Sequence, residues 1–390
     1  MLQITPEKIA NSISSLLSKN KLWENKDLYI YFIANPKAGC FTNSKNYKRY
    51  NQVFNQLDKD ISNLPVLTKS VDCKIFNTQY PEHATELTES VISQFIGLNI
   101  PNSECVIITG GGDGTSLEVE CALFNSAQKE EHKRNAIMNN ITLLRLPLGT
   151  GNDGTDGHSI EETIQMLKNP LQFKNIRAIN VFSENPPTEQ QILSSGKNPV
   201  KYNSGKKTSR WNAFNITSIG LDAYVVYLTN TIKKKFPGNI YQLCVPISGL
   251  IYDKDFPTGN ADVEFFDENG QMINRISAPI TLLAFGESGH RVYGGGHKIL
   301  PDDNNVCMVP KVTLKTLIKE NHRFEDGSFV GTDIALLNTA NKIRISYDKP
   351  ILLECDGEVT MLCKDHFPLV MEKTEPCIRI VCPISSNMQA

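Results

Sequence analysis

The chain has 390 residues, of which 40% are hydrophobic and 21% charged, a composition typical of a globular protein long enough for two domains. A formal net charge of −2 argues against a general polyanion binder. The sequence shows no convincing basic patch with neighbouring aromatic residues, which nucleic-acid binding would need. The ten cysteines include no CxxC pair, which argues against a zinc ribbon and against a thioredoxin-like site.

Residues 1–27 predict a helical extension. Ile9, Ile13 and Leu16 follow helical spacing, and Thr5 followed by Pro6 is typical of a helix start. We expect this helix to pack on the protein's own core. No run reaches the ~20 apolar residues that span a bilayer. We therefore expect a cytoplasmic protein that meets a membrane only transiently, at its surface.

The first half of the chain repeats one pattern of apolar strand, glycine-rich turn and helix. Strands are predicted at Tyr29–Ala34, Val106–Thr109 and Leu143–Leu146, and helical spacing of the apolar residues predicts a helix within residues 81–95. Continuous apolar strands that alternate with helices are typical of a parallel sheet covered on both faces. The pattern predicts an α/β domain over residues 28–176.

Alternating, strand-like runs dominate after residue 176. Ala261–Phe266 and Gln271–Ile276 predict a hairpin around the turn DENG. Further strands are predicted at Pro279–Phe285, Val306–Val312, Lys342–Tyr347 and Ile351–Cys355. These runs predict a mainly antiparallel β domain over residues 177–365. A return of residues 366–390 to the first domain is left open.

The loop GGGDGT at Gly110–Thr115 carries the strongest chemical signal. Glycines allow the backbone to approach a ligand closely and to adopt positive φ, and N–H groups at a helix start bind anions. A carboxylate here, Asp113, would repel a bare phosphate. It suits a site where it organises Mg²⁺-bound water or takes a proton from an acceptor hydroxyl. A purely structural helix cap is the alternative.

Two further loops follow predicted strands in the same way. In PLGTGND, at Pro147–Asp153, Thr150 can donate to a phosphate oxygen, while Asn152 and Asp153 can cap a helix or orient the loop. In NPKAG, at Asn35–Gly39, the asparagine and the backbone can hold ribose or phosphate. The Walker A, dinucleotide-binding and protein-kinase motifs are absent from the sequence.

In this order the three loops resemble the diacylglycerol kinase catalytic family, which includes sphingosine and ceramide kinases and bacterial lipid kinases. Four further segments are similar to the family pattern: Thr78 with His83 and Ala84, Glu118 after the glycine loop, SIGLDA with Asp222, and CDGE with Glu358. GGGHKILP at 294–301 is similar to a GGG…P segment of the family. Together they cover roughly residues 28 to 360.

The resemblance implies Mg²⁺- and ATP-dependent transfer of the γ-phosphate to a lipid hydroxyl. It implies that the α/β domain over residues 28–176 binds the nucleotide, and that it is followed by a C-terminal β-sandwich with the active site in the cleft between the two domains. Asp113 and Glu358 are the catalytic candidates, and either can be the base. Asp222 would orient the acceptor, Asp113 would hold Mg²⁺ through water, and Asp303 is a candidate for a second metal site. The expected nucleotide site comprises Asn35, Pro36, Lys37, Ala38, Gly39, Thr78, Gly111, Gly112, Gly114, Thr115, Glu118, Gly149, Thr150, Asn152 and Asp153.

The sequence departs from the family pattern in three places. Leu117 stands where an Asn is common, GTDGH follows PLGTGND, and PDDNN replaces an Asp-Gly segment. An NAD kinase-like enzyme and a non-catalytic nucleotide- or lipid-binding relative are the alternatives, although an NAD kinase would not be expected to keep PLGTGND or SIGLDA. Among lipids, diacylglycerol is the acceptor that we expect. Sphingoid bases, ceramide and phosphatidylglycerol remain open, as does a homodimer.

Overall fold

The computed structural model describes residues 3–149, 152, 154–194, 209–233, 241–293 and 296–384. The chain divides into two units. The first unit takes Met1–Ile176 and Pro376–Ala390, and the second takes Arg177–Glu375.

The strands of the described residues are numbered in chain order. They are β1 (Asp27–Ala34), β2 (Ser70–Asn77), β3 (Ser103–Gly111), β4 (Ile141–Pro147), β5 (Leu171–Ile176), β6 (Ile179–Ser183), β7 (Arg210–Ala213), β8 (Ile216–Gly220), β9 (Asn260–Phe266), β10 (Met272–Gly286), β11 (Arg291–Tyr293), β12 (His297–Leu300), β13 (Val306–Pro310), β14 (Leu336–Asn338), β15 (Lys342–Tyr347), β16 (Ile351–Cys355), β17 (Glu358–Leu362), β18 (Leu369–Lys373) and β19 (Ile378–Pro383).

The α-helices are numbered in the same way. They are α1 (Pro6–Leu17), α2 (Gly39–Thr42), α3 (Ser44–Ile61), α4 (His83–Leu98), α5 (Asp113–Lys129), α6 (Glu131–Asn139), α7 (Ile160–Lys168), α8 (Glu189–Ser194), α9 (Leu221–Lys233), α10 (Tyr241–Asp255) and α11 (Leu314–Asp326).

The first unit is built on a six-stranded sheet with the order β2-β1-β3-β4-β19-β5. The first five of these strands are parallel to their neighbours, and β5 is antiparallel to β19. Every residue of β3 and β4 is buried, as expected of central parallel strands. The predicted parallel sheet is confirmed, with one antiparallel strand added at its edge.

Helices cover both faces of this sheet. On one face, α1, α3 and α7 pack with Ile30 and Phe32 of β1. On the other, the ring of Phe95 in α4 contacts the ring of Tyr29, at 6.1 Å between centroids. Helix α1 begins where the sequence predicts, because the Thr5 side chain accepts a hydrogen bond from the N–H of Lys8. Its apolar stripe is buried, so it packs on the protein's own core as expected.

The second unit holds an eleven-stranded antiparallel sheet. Nine strands run in the order β17-β16-β8-β10-β9-β15-β18-β6-β7, while β13 pairs with β10 and β14 pairs with β13. The first part of β10 pairs with β9, and its second part pairs with β8 and β13. One buried core contains side chains from both parts of this curled sheet. The predicted mainly antiparallel region is confirmed.

The long strand β10 corrects one detail of the sequence analysis. Gln271–Ile276 and Pro279–Phe285 were expected to be separate strands, but Met272–Gly286 is continuous. Pro279 lies opposite Asn260, where β9 begins, and beyond this point the strand pairs with β8 and β13. A proline has no N–H to donate, so it is tolerated at a place where the strand changes partners. Among the helices that the structure describes, none is long and apolar enough to cross a membrane.

Candidate active site

The three sequence loops meet at one edge of the first sheet. NPKAG follows β1, GGGDGT follows β3 and PLGTGND follows β4, so all three leave the carboxyl ends of adjacent parallel strands. The N–H of Asn35 donates to the carbonyl of Gly110 (3.0 Å), and the N–H of Cys40 donates to the carbonyl of Leu148 (3.1 Å). Strand β1 lies between β2 and β3, so the chain connections from these strands run in opposite directions along the sheet. The crevice at the carboxyl ends of strands where this direction reverses is a common ligand-binding place in α/β sheets.

In the central loop GGGDGT, Gly110 and Gly111 allow neighbouring side chains to pack against the backbone, and the loop glycines do not adopt positive φ. None of Gly110, Gly111, Gly112 and Gly114 has positive φ, so that part of the expectation is wrong. A Cβ on Gly110 would lie 2.6 Å from the ring of Phe32, and one on Gly111 would lie 2.5 Å from Oγ1 of Thr115. A Cβ on Gly114 would meet nothing within 4 Å. Gly114 is exposed, so its backbone is open to a ligand.

Asp113 is the first residue of α5 and is only partly buried. A buried hydrogen bond joins the first turns of α5 to β3, since the hydroxyls of Thr109 and Ser116 lie 2.9 Å apart. A carboxylate in the first turn is favoured by the helix dipole. Its Oδ1 accepts a hydrogen bond from the N–H of Gly154, at 3.2 Å. The structure therefore brings Asp113 against the loop that follows β4.

Thr115 and Asn35 connect the first two loops. The Nδ2 of Asn35 lies 3.4 Å from Oγ1 of Thr115, and its Oδ1 accepts from the N–H of Lys37 (3.0 Å). Thr115 is buried, whereas Pro36 and Lys37 are exposed. This arrangement leaves the basic side chain of Lys37 at the surface of the loop.

The third loop is described only in part, since Thr150 and Asp153 lie outside the described residues. Oδ1 of Asn152 accepts from the N–H of Gly149 (3.0 Å), so this side chain closes the loop on itself. Thr78 lies at the end of β2, where its N–H donates to the carbonyl of Ala34 (2.8 Å). Thr78 thus stands at the same sheet edge as the loop after β1.

Glu118 holds the start of α4. Its two carboxylate oxygens accept from the N–H groups of Glu82 (2.9 Å) and Ala84 (3.1 Å). These N–H groups lack partners within their own helix, so a carboxylate from α5 supplies the cap. The segment around His83 and Ala84 is therefore attached to the glycine-loop helix. This capping gives Glu118 a structural role, and its nucleotide contact stays a prediction.

A buried ion cluster near the third loop was missed by the sequence analysis. The guanidinium of Arg145, in β4, pairs with Glu120 (2.7 Å) and Asp156 (2.6 Å), and all three side chains are almost fully buried. Burial would lower the pKa of Arg145, but the carboxylates of Asp156 and Glu120 raise it above its ordinary value. The signal was present in the sequence, because an arginine inside an apolar parallel strand requires a buried counter-charge.

In the second unit, Asp222 lies in the first turn of α9 and is 3% exposed. The hydroxyl of Ser218 lies 2.7 Å from Oδ2 of Asp222 and 3.3 Å from Oε2 of Glu354. A hydroxyl has one hydrogen, so it can donate one strong hydrogen bond and share that hydrogen with a second carboxylate only weakly. The contact is satisfied best when one of the two carboxyl groups carries a proton and donates it to the Ser218 oxygen.

Glu354 is the group that the structure favours as protonated. Burial raises its pKa well above the ordinary value, and the nearby carboxylates of Asp222 and Asp356 raise it further. Its Oε1 accepts from the N–H of Gly357, in the turn that leads to Glu358. A chain of hydrogen bonds thus runs from that turn through Glu354 and Ser218 to Asp222.

The segment CDGE forms a tight turn between β16 and β17. Asp356 (φ 45°) and Gly357 (φ 92°) both have positive φ, as in the Asp-Gly turns that join antiparallel strands. The carboxylate of Asp356 accepts from the N–H groups of Phe214, Asn215 and Ile216. Burial raises the pKa of Asp356, and these three bonds oppose that effect. Glu358 stands next to the turn and is exposed.

Asp303 is fully exposed and lies 2.9 Å from Nε2 of His290. The neighbouring Asp302 accepts from the backbone and side-chain amides of Asn304, both at 3.0 Å. Within the described part of the chain, no group of three or more His, Cys, Asp or Glu residues could hold a metal ion. The second metal site at Asp303 stays a prediction.

Part of the sequence also matches a known family. Residues 29–183 match the model of the diacylglycerol kinase catalytic domain. This segment belongs to the diacylglycerol kinase catalytic domain family. Membership of a kinase family implies ATP as the phosphoryl donor. The matched segment of the diacylglycerol kinase family contains Asn35, Asp113 and Asn152, while Asp222 and Glu358 lie beyond it.

Solved structures extend the similarity to the fold of almost the whole chain. A diacylglycerol kinase structure from Bacillus anthracis str. Sterne is 16% identical, covers 92% of this chain and 97% of its own, and has a TM-score of 0.50. Two structures from the same organism, provisionally named as diacylglycerol kinases, are each 17% identical. Their TM-scores are 0.54 and 0.51, and they cover 92% and 91% of this chain and 97% and 96% of their own. A comparison with curated protein sequences finds no match.

Proposed function

We propose that this protein is an ATP-dependent lipid kinase that transfers the γ-phosphate of ATP to a lipid hydroxyl, with diacylglycerol as the preferred acceptor. The observation that carries the proposal is the meeting of NPKAG, GGGDGT and PLGTGND at one sheet edge, joined by the bond from Gly154 to Asp113. Phosphoryl transfer needs positioning and charge stabilisation more than covalent chemistry. Backbone N–H groups and one carboxylate at a helix start supply both.

In this proposal the nucleotide lies on the loops of the first sheet. The exposed backbone of Gly114 faces outward at the start of α5, where N–H groups favour phosphate. Lys37, on the surface of the loop after β1, is a candidate for charge neutralisation. Asn35, which joins the first two loops, would hold ribose or phosphate.

Asp113 fits a bound Mg²⁺, because this ion is commonly held by one or two carboxylates together with substrate phosphates and water. When bound, the ion would neutralise charge on the transferred phosphoryl group. The protein's own contribution is to orient the carboxylate, since the N–H of Gly154 holds its Oδ1. With phosphate oxygens and water as the other ligands, Asp113 can be the only protein carboxylate that holds the ion.

The second unit would supply groups for the acceptor. Glu358 is the candidate base, because it is exposed beside a turn whose Asp356 side chain is hydrogen-bonded to the backbone of 214–216. Asp222 is buried and already bonded to Ser218, so we propose that it orients the acceptor side through that hydrogen-bond chain rather than by open contact. Because the acceptor is a lipid, the protein would bind reversibly at a membrane surface.

The test is phosphate transfer from labelled ATP to purified acceptors in mixed micelles. The panel holds diacylglycerol, a sphingoid base, ceramide and phosphatidylglycerol, with NAD as the soluble acceptor. We expect labelled lipid product that depends on Mg²⁺ and is lost in Asp113→Asn. Label on NAD alone would establish the NAD kinase-like alternative. Binding of ATP without transfer to any acceptor would establish the non-catalytic one.

A further inference from the structure

Arg145 is an unusual residue for its place in the fold. It lies in β4, a strand in which every residue is buried, and its side chain is 11% exposed. Burying a charge is costly unless it is paired, and a buried ion pair is often no more stabilising than apolar residues of similar size. Stability is therefore a weak explanation for this arginine, and its geometry suggests another.

The two carboxylates that surround Arg145 are attached to different parts of the site. Glu120 binds Nη1 from helix α5. Asp156 binds Nη2 and also accepts from the backbone N–H of Arg145, at 2.7 Å. The N–H of Asp156 in turn donates to the carbonyl of Arg145, at 3.0 Å. Asp156 is thus tied to both the side chain and the backbone of one strand residue.

These contacts lead directly to Asp113 from two directions. Asp156 follows Gly154 by two residues, and Gly154 donates to Oδ1 of Asp113. Glu120 follows Asp113 by seven residues, which places the two carboxylates on one face of α5, two turns apart. Arg145 therefore connects Asp156, which follows Gly154 in the chain, with helix α5, which begins at Asp113.

We propose that Arg145 and Asp156 are positioning residues that hold Gly154 against Asp113 and so orient the Asp113 carboxylate at the nucleotide site. The nucleotide part of this inference rests on the proposed function. The loop geometry does not, because the bonds from Arg145 to Asp156 and from Gly154 to Asp113 are present in the protein alone. The GTDGH continuation, where the chain departs from the family pattern, supplies Asp156.

Two variants that each remove one negative charge beside Arg145 distinguish a positioning role from a general effect on the stability of the protein. In wild type one oxygen of Asp156 accepts from the backbone N–H of Arg145 and the other accepts from its guanidinium. Asp156→Asn keeps an oxygen at only one of these two positions and places an NH₂ group, which is a donor, at the other. Glu120→Gln keeps an acceptor for Nη1 and leaves the loop attachment intact. Each removes one negative charge beside Arg145, from side chains that are both 5% exposed. Arg145→Lys is the third variant, since an ammonium keeps the charge but loses the planar fork.

The first measurement is hydrogen exchange at the amide of Gly154, resolved residue by residue without nucleotide. We expect exchange at least ~10-fold faster in Asp156→Asn and Arg145→Lys, and within ~3-fold of wild type in Glu120→Gln, at temperatures set equally below each unfolding midpoint. Equal acceleration in Glu120→Gln, or unchanged exchange in Asp156→Asn, would overturn the inference. If Asp156→Asn does not fold, Arg145→Lys against Glu120→Gln decides by the same criteria.

The second measurement is the dissociation constant for ATP with Mg²⁺. We expect a rise of ~10-fold in Asp156→Asn and Arg145→Lys, and less than ~3-fold in Glu120→Gln. Faster exchange with unchanged ATP affinity would overturn the nucleotide role. Wild-type protein that binds no ATP would refute the proposed function, and the exchange result would still decide whether Arg145 and Asp156 position Gly154.

Discussion

The backbone N–H of Gly154 donates a hydrogen bond to Oδ1 of Asp113 over 3.2 Å. These residues are 41 positions apart and belong to loops that leave neighbouring parallel strands. The contact orients the carboxylate at the start of α5 without removing it from the loop surface, because Asp113 remains partly exposed. A charged group held in this way suits phosphoryl transfer, and the first prediction tests it.

Asp113→Asn should lower turnover with lipid by at least ~10²-fold, the usual scale for losing a charge-organising or proton-accepting group. The amide keeps an oxygen for Gly154, so the free energy of unfolding should stay within about 0.5 kcal/mol of wild type. Steady-state kinetics and chemical denaturation measure the two effects. Asp72→Asn, at an exposed position on β2, is the control. Turnover within a few-fold of wild type at matched stability would remove Asp113 from the mechanism.

Gly114→Ala and Gly111→Ala should have opposite effects on stability. A methyl group at Gly114 meets open space inside a helix, where alanine stabilises by up to ~1 kcal/mol relative to glycine. At Gly111 it would clash with Thr115 and cost ~1–3 kcal/mol. If phosphate approaches the backbone here, Gly114→Ala should nevertheless weaken ATP binding by ~10-fold or more. Unchanged ATP affinity in this well-folded variant would exclude Gly114 from the nucleotide site.

Asp356→Asn and Glu358→Gln should separate a structural carboxylate from a catalytic one. An amide at 356 cannot accept from all three N–H groups of 214–216, and its own NH₂ would face a donor, at a cost of ~1–3 kcal/mol in unfolding free energy. Glu358 is exposed, so its amide variant should keep wild-type stability and lose at least ~10²-fold in turnover. A stable Asp356→Asn variant without activity, beside an active Glu358→Gln variant, would move the base to Asp356.

Glu354→Gln should change how stability depends on pH. The pKa of Glu354 is raised in the folded protein, chiefly by burial, so above the ordinary value of ~4.3 the folded state keeps a proton that the unfolded state loses. Unfolding free energy then falls as pH rises, by at most ~1.4 kcal/mol per unit, until the folded pKa is passed. Glutamine cannot titrate but keeps a donor for Ser218 and an acceptor for Gly357.

The stability of Glu354→Gln relative to wild type should therefore increase steadily above pH ~4.3. Urea unfolding at half-unit steps from pH 4.5 to 8 measures the difference. Glu268→Gln, at an exposed hairpin turn, is the control for the loss of one glutamate carboxylate. Parallel curves for Glu354→Gln and wild type would mean that Glu354 titrates alike in both states.

The sequence alone predicted the fold class and the three strands that the glycine-rich loops follow. Apolar runs bounded by glycine turns are local signals, and β1, β3 and β4 form at the predicted places. Because parallel neighbours end at the same edge of a sheet, loops that follow them must lie close together. Thr5 and Pro6 likewise predicted the start of α1 through contacts within one helical turn.

The tertiary structure alone decided which partner each polar group meets. The pairing of Arg145 with Asp156, the burial of Asp222 beside Glu354, and the attachment of Asp356 to the N–H groups of 214–216 all join separate segments. A motif records which residue types occur together along the chain. Whether a carboxylate is open, protonated or used by the backbone depends on burial and on donors from distant strands, and these exist only after the sheets have formed.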